Sequence, residues 1–210
     1  MKQLKLLGLA FVAAVALTAF LGTGTASATE LCSKASTPCL GTKYGTGTAT
    51  STVNSTNAVL KTSITTVTCV ISSLDGTTTS GGGSGTTAVT GITTEFHFFA
   101  CTDSGGEECT VIAGAKNLGN ISITGGSASE TAAFNYNITS KTGVHVECGF
   151  FINCTFYTES TTLAGHNQIS GAPTIRAEEA VMKREGGFCP ESATWTGTYK
   201  IVNPSPLYVV

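Results

Sequence analysis

The chain is expected to fold as an all-β protein, one disulfide-stapled β-sandwich of about ten strands behind a cleaved signal peptide. Three observations predict this. Apolar residues recur with a period of two in segment after segment, Gly, Ser, Thr and Asn interrupt those segments, and all eight cysteines lie beyond an export-type N-terminus.

Lys2 and Lys5 supply a positive start, residues 6–21 form an apolar run, and Ala26-Ser27-Ala28 offers the small residues a signal peptidase needs. Residues 1–28 are read as the signal peptide and residues 29–210 as a single domain, long enough to bury a core. No later apolar run approaches the roughly 20 residues of a membrane helix, so no integral membrane segment is expected after cleavage. The expected location is secreted and extracellular. Charged residues make up only 11% of the chain and the net charge is -2. A nucleic-acid partner needs a basic face to neutralise phosphates, so none is expected.

The alternation is clearest near the C-terminus, where Ala193, Trp195, Gly197, Tyr199 and Ile201 share one strand face and Thr194, Thr196, Thr198 and Lys200 the other. Trp195 is thereby assigned to the core. The same period places Val67, Cys69 and Ile71 on one face, and likewise Phe96, Phe98 and Ala100 following Ile92. It does so again for Ala132, Phe134, Tyr136 and Ile138, and for Val144, Val146 and Cys148. Thr fills the polar positions, where its branched Cβ suits a strand. Residues 176–185 contain helix formers but no amphipathic stripe of useful length, and are read as a strand. Residues 75–87, with their run of glycines, read as a flexible loop; a phosphate-binding loop would end in Gly-Lys-Ser/Thr.

An even cysteine count behind an export signal points to disulfides, and no pair has zinc-knuckle spacing. Closing the short intervals predicts Cys32–Cys39, Cys101–Cys109 and Cys148–Cys154, which leaves Cys69 with Cys189. A faint repeat accompanies this: apolar strand, cysteine, short loop, Cys-Thr and apolar strand occur around Cys101–Cys109 and again around Cys148–Cys154.

Several short motifs extend across the chain: Leu31-Cys32, Pro38-Cys39, Val67-Thr68-Cys69, Glu108-Cys109-Thr110-Val111, Val146-Glu147-Cys148-Gly149, Ile152-Asn153-Cys154-Thr155, Arg184-Glu185-Gly186-Gly187, Cys189-Pro190 and Ala193-Thr194-Trp195. With Pro206-Leu207-Tyr208-Val209, this pattern resembles a group of exported, cysteine-rich β proteins of high-GC Gram-positive bacteria. The resemblance implies a single secreted disulfide-bearing domain and nothing about chemistry.

The residues themselves offer few reactive sets. Asp103-Ser104-Gly105-Gly106 matches the surroundings of a serine-protease nucleophile. However, Thr102 stands where that pattern has Gly, and only His97 precedes it. Without a base and an orienting acid the hydroxyl is a poor nucleophile, so a disulfide-closed turn is expected instead. Asp103, Glu107 and Glu108 are hard-oxygen donors without a calcium-loop signature and read as a solvated turn. Glu95 with His97, and His145 with Glu147, each share a strand face and could hold a divalent ion if the two pairs met. They are read as solvated, and no metal, cofactor or catalytic residue is assigned. The loop residues Phe150, Phe151 and Ile152 put large apolar side chains where polar turn residues are usual; they read first as a plug folded over the end of the sandwich, and as the candidate contact site if the tip is exposed. Asn-x-Ser/Thr matches at Asn54, Asn120, Asn137 and Asn153 are attributed to the Thr-rich composition.

The expected function is therefore that of a secreted, non-enzymatic binding or envelope-associated protein, its partner unspecified. The alternatives are a metal-dependent hydrolase built on the two His/Glu pairs, and a structural coat component.

Overall fold

The computed structural model describes residues 28–83, 88–113, 119–150 and 152–210. The signal-peptide reading of residues 1–27, the tip of the glycine loop at 84–87 and Phe151 fall outside them. Among the described residues all regular structure is β, as expected.

The strands are β1 (Leu31–Cys32), β2 (Ala49–Asn54), β3 (Ala58–Thr62), β4 (Thr66–Ser80), β5 (Val89–Thr102), β6 (Glu108–Ala113) and β7 (Asn120–Gly125). They continue with β8 (Ala133–Ile138), β9 (Thr142–Cys148), β10 (Ile152–Thr158), β11 (Thr161–His166), β12 (Thr174–Arg184), β13 (Ser192–Asn203) and β14 (Tyr208–Val209). Twelve of them form one sheet. β2 and β3 both pair with β4, β4 with β5, and β5 with both β6 and β7. β6 pairs with β9 and β7 with β8, while β10 pairs with β9 and β11 with β8. β12 takes both β10 and β11 on one side and β13 on the other, and β13 returns to β2 and β3.

The short strands β2/β3, β6/β7, β8/β9 and β10/β11 thus run end to end as four kinked staves. With the four long strands they form an eight-stave antiparallel meander that closes on itself. The expected sandwich holds at the level of an all-β chain with disulfides and a buried interior. The hydrogen-bond ladder, however, continues right round, because β13 pairs with the first stave instead of leaving two open edges. Closure removes the unpaired edges that an open sheet must protect.

The inward rows make the core. All five expected residues of β13, from Ala193 to Ile201, are buried or enclosed, and Phe134, Tyr136, Ile138, Val144, Val146 and Cys148 face in as predicted. Elsewhere the strict alternation fails. Ile71 and Ala100 are exposed and Ile92 is partly so, whereas Phe96 and Cys101 are buried. The reason is bulging: the β4–β5 register shifts beside Asp75, and Ala100 takes a positive φ of 50°. Residues 178–179 form a second bulge, with Glu179 at φ 51°, which hides the period of two in β12. One extra residue on a strand reverses which side chains face the core beyond it. The loop expected from Asp75 is likewise shortened, since β4 continues to Ser80. Gly165 lies opposite Phe134, whose ring occupies the space a Cβ would need, so glycine is required for that aromatic packing.

The barrel has two differently finished ends. At one, β1 and β14 pair with each other and lay Leu31, Leu207 and Val209 over the opening, all buried. Asn167 fixes this plug by donating to the Val209 carbonyl (2.9 Å) and accepting from its amide (2.9 Å), much as a neighbouring strand would. Cys32–Cys39 closes the adjoining loop, as predicted. At the other end lie the loops 63–65, 103–107, 149–150 and 185–191, together with the other three disulfides.

Those three bridges correct the spacing argument. They are Cys69–Cys101, Cys109–Cys148 and Cys154–Cys189, in place of Cys69–Cys189, Cys101–Cys109 and Cys148–Cys154. The register explains the difference. Cys69, Cys101, Cys109 and Cys148 stand in one row across β4, β5, β6 and β9, each opposite the next. Joining the middle two would leave the outer pair three strand spacings apart, roughly 14 Å, beyond the reach of any disulfide. Pairing outward from the middle uses all four. Cys154 lies opposite Val146, not Cys148, which frees it to hold the β12–β13 loop through Cys189.

Candidate functional site

The interior of the barrel is divided at its waist. Ser72 and Tyr199, both fully buried, face each other there, with the Ser72 hydroxyl 3.2 Å from the Tyr199 hydroxyl. Burial pushes the Tyr199 hydroxyl above the ordinary tyrosine value, with the Ser72 hydroxyl only partly offsetting it. On the plugged side a cavity of about 20 Å³ is lined by Thr50, Thr52, Thr78 and Tyr136 among aliphatic side chains. Burial raises the Tyr136 hydroxyl as well, against a weaker opposing contribution from Thr93.

On the stapled side lies a larger cavity of about 40 Å³. Every stave contributes to its wall: Leu60 and Val67 from the first two, Phe96 and Phe98 from β5, Val111 from β6, Val144 from β9, Thr158 from β10, Met182 from β12 and Trp195 from β13. Only Thr142 and Thr158 bring hydroxyls to it. Trp195 packs edge-on against Phe96 (centroids 6.1 Å apart) and tilted against Tyr199 (5.7 Å), and its buried indole N–H has no hydrogen-bond partner. A single water needs about 10–15 Å³ and two or more polar partners, so this space is large enough for water but offers it almost nothing. A smaller, separate void of about 10 Å³ shares Leu60 and Val67 with it and lies between Ile152, Phe156 and Pro190. This chamber went unnoticed in the sequence; only the closure of the barrel makes the inward rows of distant strands face one another.

The predicted contact loop lies at this end. Phe150 is 101% exposed, Ile152 is half-buried at the start of β10, and Phe151 lies outside the described residues. Two other loop tips of the same end also carry free apolar side chains, Ile64 at 67% and Phe188 at 108% exposure. The disulfides Cys109–Cys148 and Cys154–Cys189 anchor the flanks of the Phe150 and Phe188 loops. Because Phe150 and Phe188 touch solvent on all sides, the double variant F150S/F188S should change the unfolding free energy by less than about 0.5 kcal/mol in urea titration. A loss of several kcal/mol would instead make the loops part of the core.

The remaining candidates separate cleanly. Ser104 has its hydroxyl 3.1 Å from that of Thr65, and Asp103 accepts from the amides of Gly105 (2.8 Å) and Glu107 (2.9 Å). The carboxylate thus builds the turn, as the short polar run predicts. His145 and Glu147 are bonded to each other at 3.0 Å, to Thr155 at 2.9 Å through His145 Nδ1, and to Asn153 at 3.0 Å through Glu147 Oε1. Glu95 and His97 make a similar pair at 2.9 Å. The two pairs do not join. β6 separates β5 from β9, and among the described residues the group of three or more such donors within 4.8 Å of one another is Asp75, Glu95 and His97. Sequence reasoning missed Asp75 because it assigned that residue to a loop, whereas the β4–β5 register sets it directly opposite Glu95.

Compared with protein-family models, curated proteins and solved structures, the chain matches none. Its function must therefore be argued from the geometry. Among the described residues no helix is long and apolar enough to cross a membrane. From Thr194 to Lys200 the outward positions of β13 are Thr and Lys while its inward ones are apolar or Gly, the reverse of the apolar outer band of a membrane-spanning barrel.

Proposed function

We propose that the protein is a secreted, non-enzymatic binding protein that takes a small apolar ligand into the stapled half of its barrel, the end carrying Phe150 facing the envelope or the surroundings. The supporting observation is the 40 Å³ apolar chamber, walled by every stave, with a second apolar void beside it that shares Leu60 and Val67. Barrel mouths and lumens are common ligand sites, because inward side chains of a closed sheet enclose space that solvent cannot use. Export is supported by the N-terminal pattern, by the resemblance to exported cysteine-rich β proteins and by four disulfides, which persist in oxidising compartments.

Trp195 is the sole tryptophan and lines the chamber, so it reports occupancy directly. Xenon, an apolar heavy-atom quencher small enough for this space where a benzene ring needs about 150 Å³, is expected to quench Trp195 fluorescence saturably. The variant V111F, which fills the chamber from a partly buried wall position, should keep the far-UV spectrum and abolish the saturable phase. Linear quenching that is the same in both proteins would remove the lumen as a binding site.

A further inference from the structure

We infer that Asp75, Glu95 and His97 form a binding site for a zinc ion on the outer wall of the barrel, independent of the lumen. The two carboxylates lie directly opposite each other on β4 and β5, and His97 follows two residues after Glu95 on the same face. Like charges directly opposite on a sheet repel, and among the described residues no Lys or Arg lies within ion-pair distance of either. Among the described residues the one ion-pair partner of either carboxylate is His97, 2.9 Å from Glu95.

The donor set and its spacing suit zinc. One imidazole nitrogen and two carboxylate oxygens lie within 4.8 Å of one another. Ligands about 2.0–2.2 Å from a tetrahedral zinc stand roughly 3.3–3.6 Å apart, within small side-chain rotations of this arrangement. Zinc accepts imidazole readily, whereas calcium and magnesium prefer all-oxygen cages with more donors. Three protein ligands leave the fourth position to water on this accessible face.

The second His/Glu pair of the molecule is the internal contrast. Both ring nitrogens of His145 and one Glu147 oxygen are engaged by protein groups, so that pair is closed. In the Asp75 group the one such bond from outside the set is the Thr52 amide donating to Asp75 at 3.1 Å, and it fixes the side chain beside Glu95. The bulge next to Asp75 sets the local geometry, since the register passes from Asp75–Glu95 directly to Gly76–Thr93. His97 also stacks on Phe99 with centroids 5.7 Å apart, which limits the swing of its ring.

Isothermal titration of tag-free, oxidised protein with zinc chloride tests this, alongside histidine side-chain NMR. The expected result is one zinc per chain, with the His97 ring resonances shifting and those of His145 unmoved. H97A should weaken binding by more than about a hundredfold, since outer-shell losses alone cost about ten- to a hundredfold. D75N, which keeps an acceptor for the Thr52 amide, should also weaken it strongly, while H145A leaves it unchanged. No heat and no His97 shift at millimolar zinc would overturn the assignment, as would binding that survives H97A or calcium binding without zinc binding. Normal far-UV spectra of the variants separate loss of the site from loss of the fold.

Discussion

Reducing the native protein with excess thiol, without denaturant, is expected to unfold the barrel. The bridges Cys69–Cys101, Cys109–Cys148 and Cys154–Cys189 close loops of 32, 39 and 35 residues. Chain-entropy arithmetic assigns each about 4 kcal/mol, which falls when loops overlap. Even discounted, three such constraints rival the whole net stability of a domain, about 5–15 kcal/mol. The Cys32–Cys39 loop spans only 7 residues and contributes less, about 2 kcal/mol. The effect should also be polarised. Six of the eight cysteines sit at the end of the barrel with four loops and the apolar chamber, whereas the plugged end is held by β1, β14 and the Asn167 clamp. Hydrogen exchange during stepwise reduction should therefore show β6, β9 and β10 losing protection before β7, β8 and β11. Uniform loss would show that the barrel opens as one unit, and no loss that burial and not sulfur holds the stapled half. Non-reducing peptide mapping checks the premise, and a Cys101–Cys109 peptide would contradict it.

The parts of this fold that were legible in the sequence are those encoded within one strand. The face of β13 from Ala193 to Ile201 could be read outright because no bulge interrupts it and Thr marks the solvent side. The Asp103 turn was equally local, resting on one carboxylate and two amides within four residues. What stayed hidden depends on register between strands distant in sequence. Nothing near Ser192 reveals that β13 returns to Ala49–Asn54 and Ala58–Thr62, yet that pairing turns an open sheet into a barrel and creates the chamber. The cysteine pairing failed for the same reason, since loop length favours near neighbours while the ladder places Cys69 opposite Cys101. The zinc site was half visible. Glu95 and His97 share a strand, but Asp75 joins them only through the β4–β5 ladder, and the bulge beside it has no sequence mark.

The substitution W195A should cost more than any other single change to the barrel lining, about 3–5 kcal/mol toward the upper end of the range for large-to-alanine changes. Trp195 is only 8% exposed, touches both Phe96 and Tyr199, and already borders empty space. Removing the indole would merge its volume with the 40 Å³ chamber. A closed ladder of eight staves cannot contract to fill the gap, because every strand is pinned to two neighbours. W195F separates packing from hydrogen bonding. The indole N–H has no partner, so the phenyl ring forfeits no bond and should cost no more than about 1–3 kcal/mol. Y199F is the counterpart, because it strands the fully buried Ser72 hydroxyl, at about 1–3 kcal/mol. Urea unfolding followed by circular dichroism ranks the three without depending on the lost fluorophore. If W195A proved as mild as W195F, the chamber would have to collapse on losing the indole, and a wall that collapses so readily could not hold a preformed site for an apolar ligand.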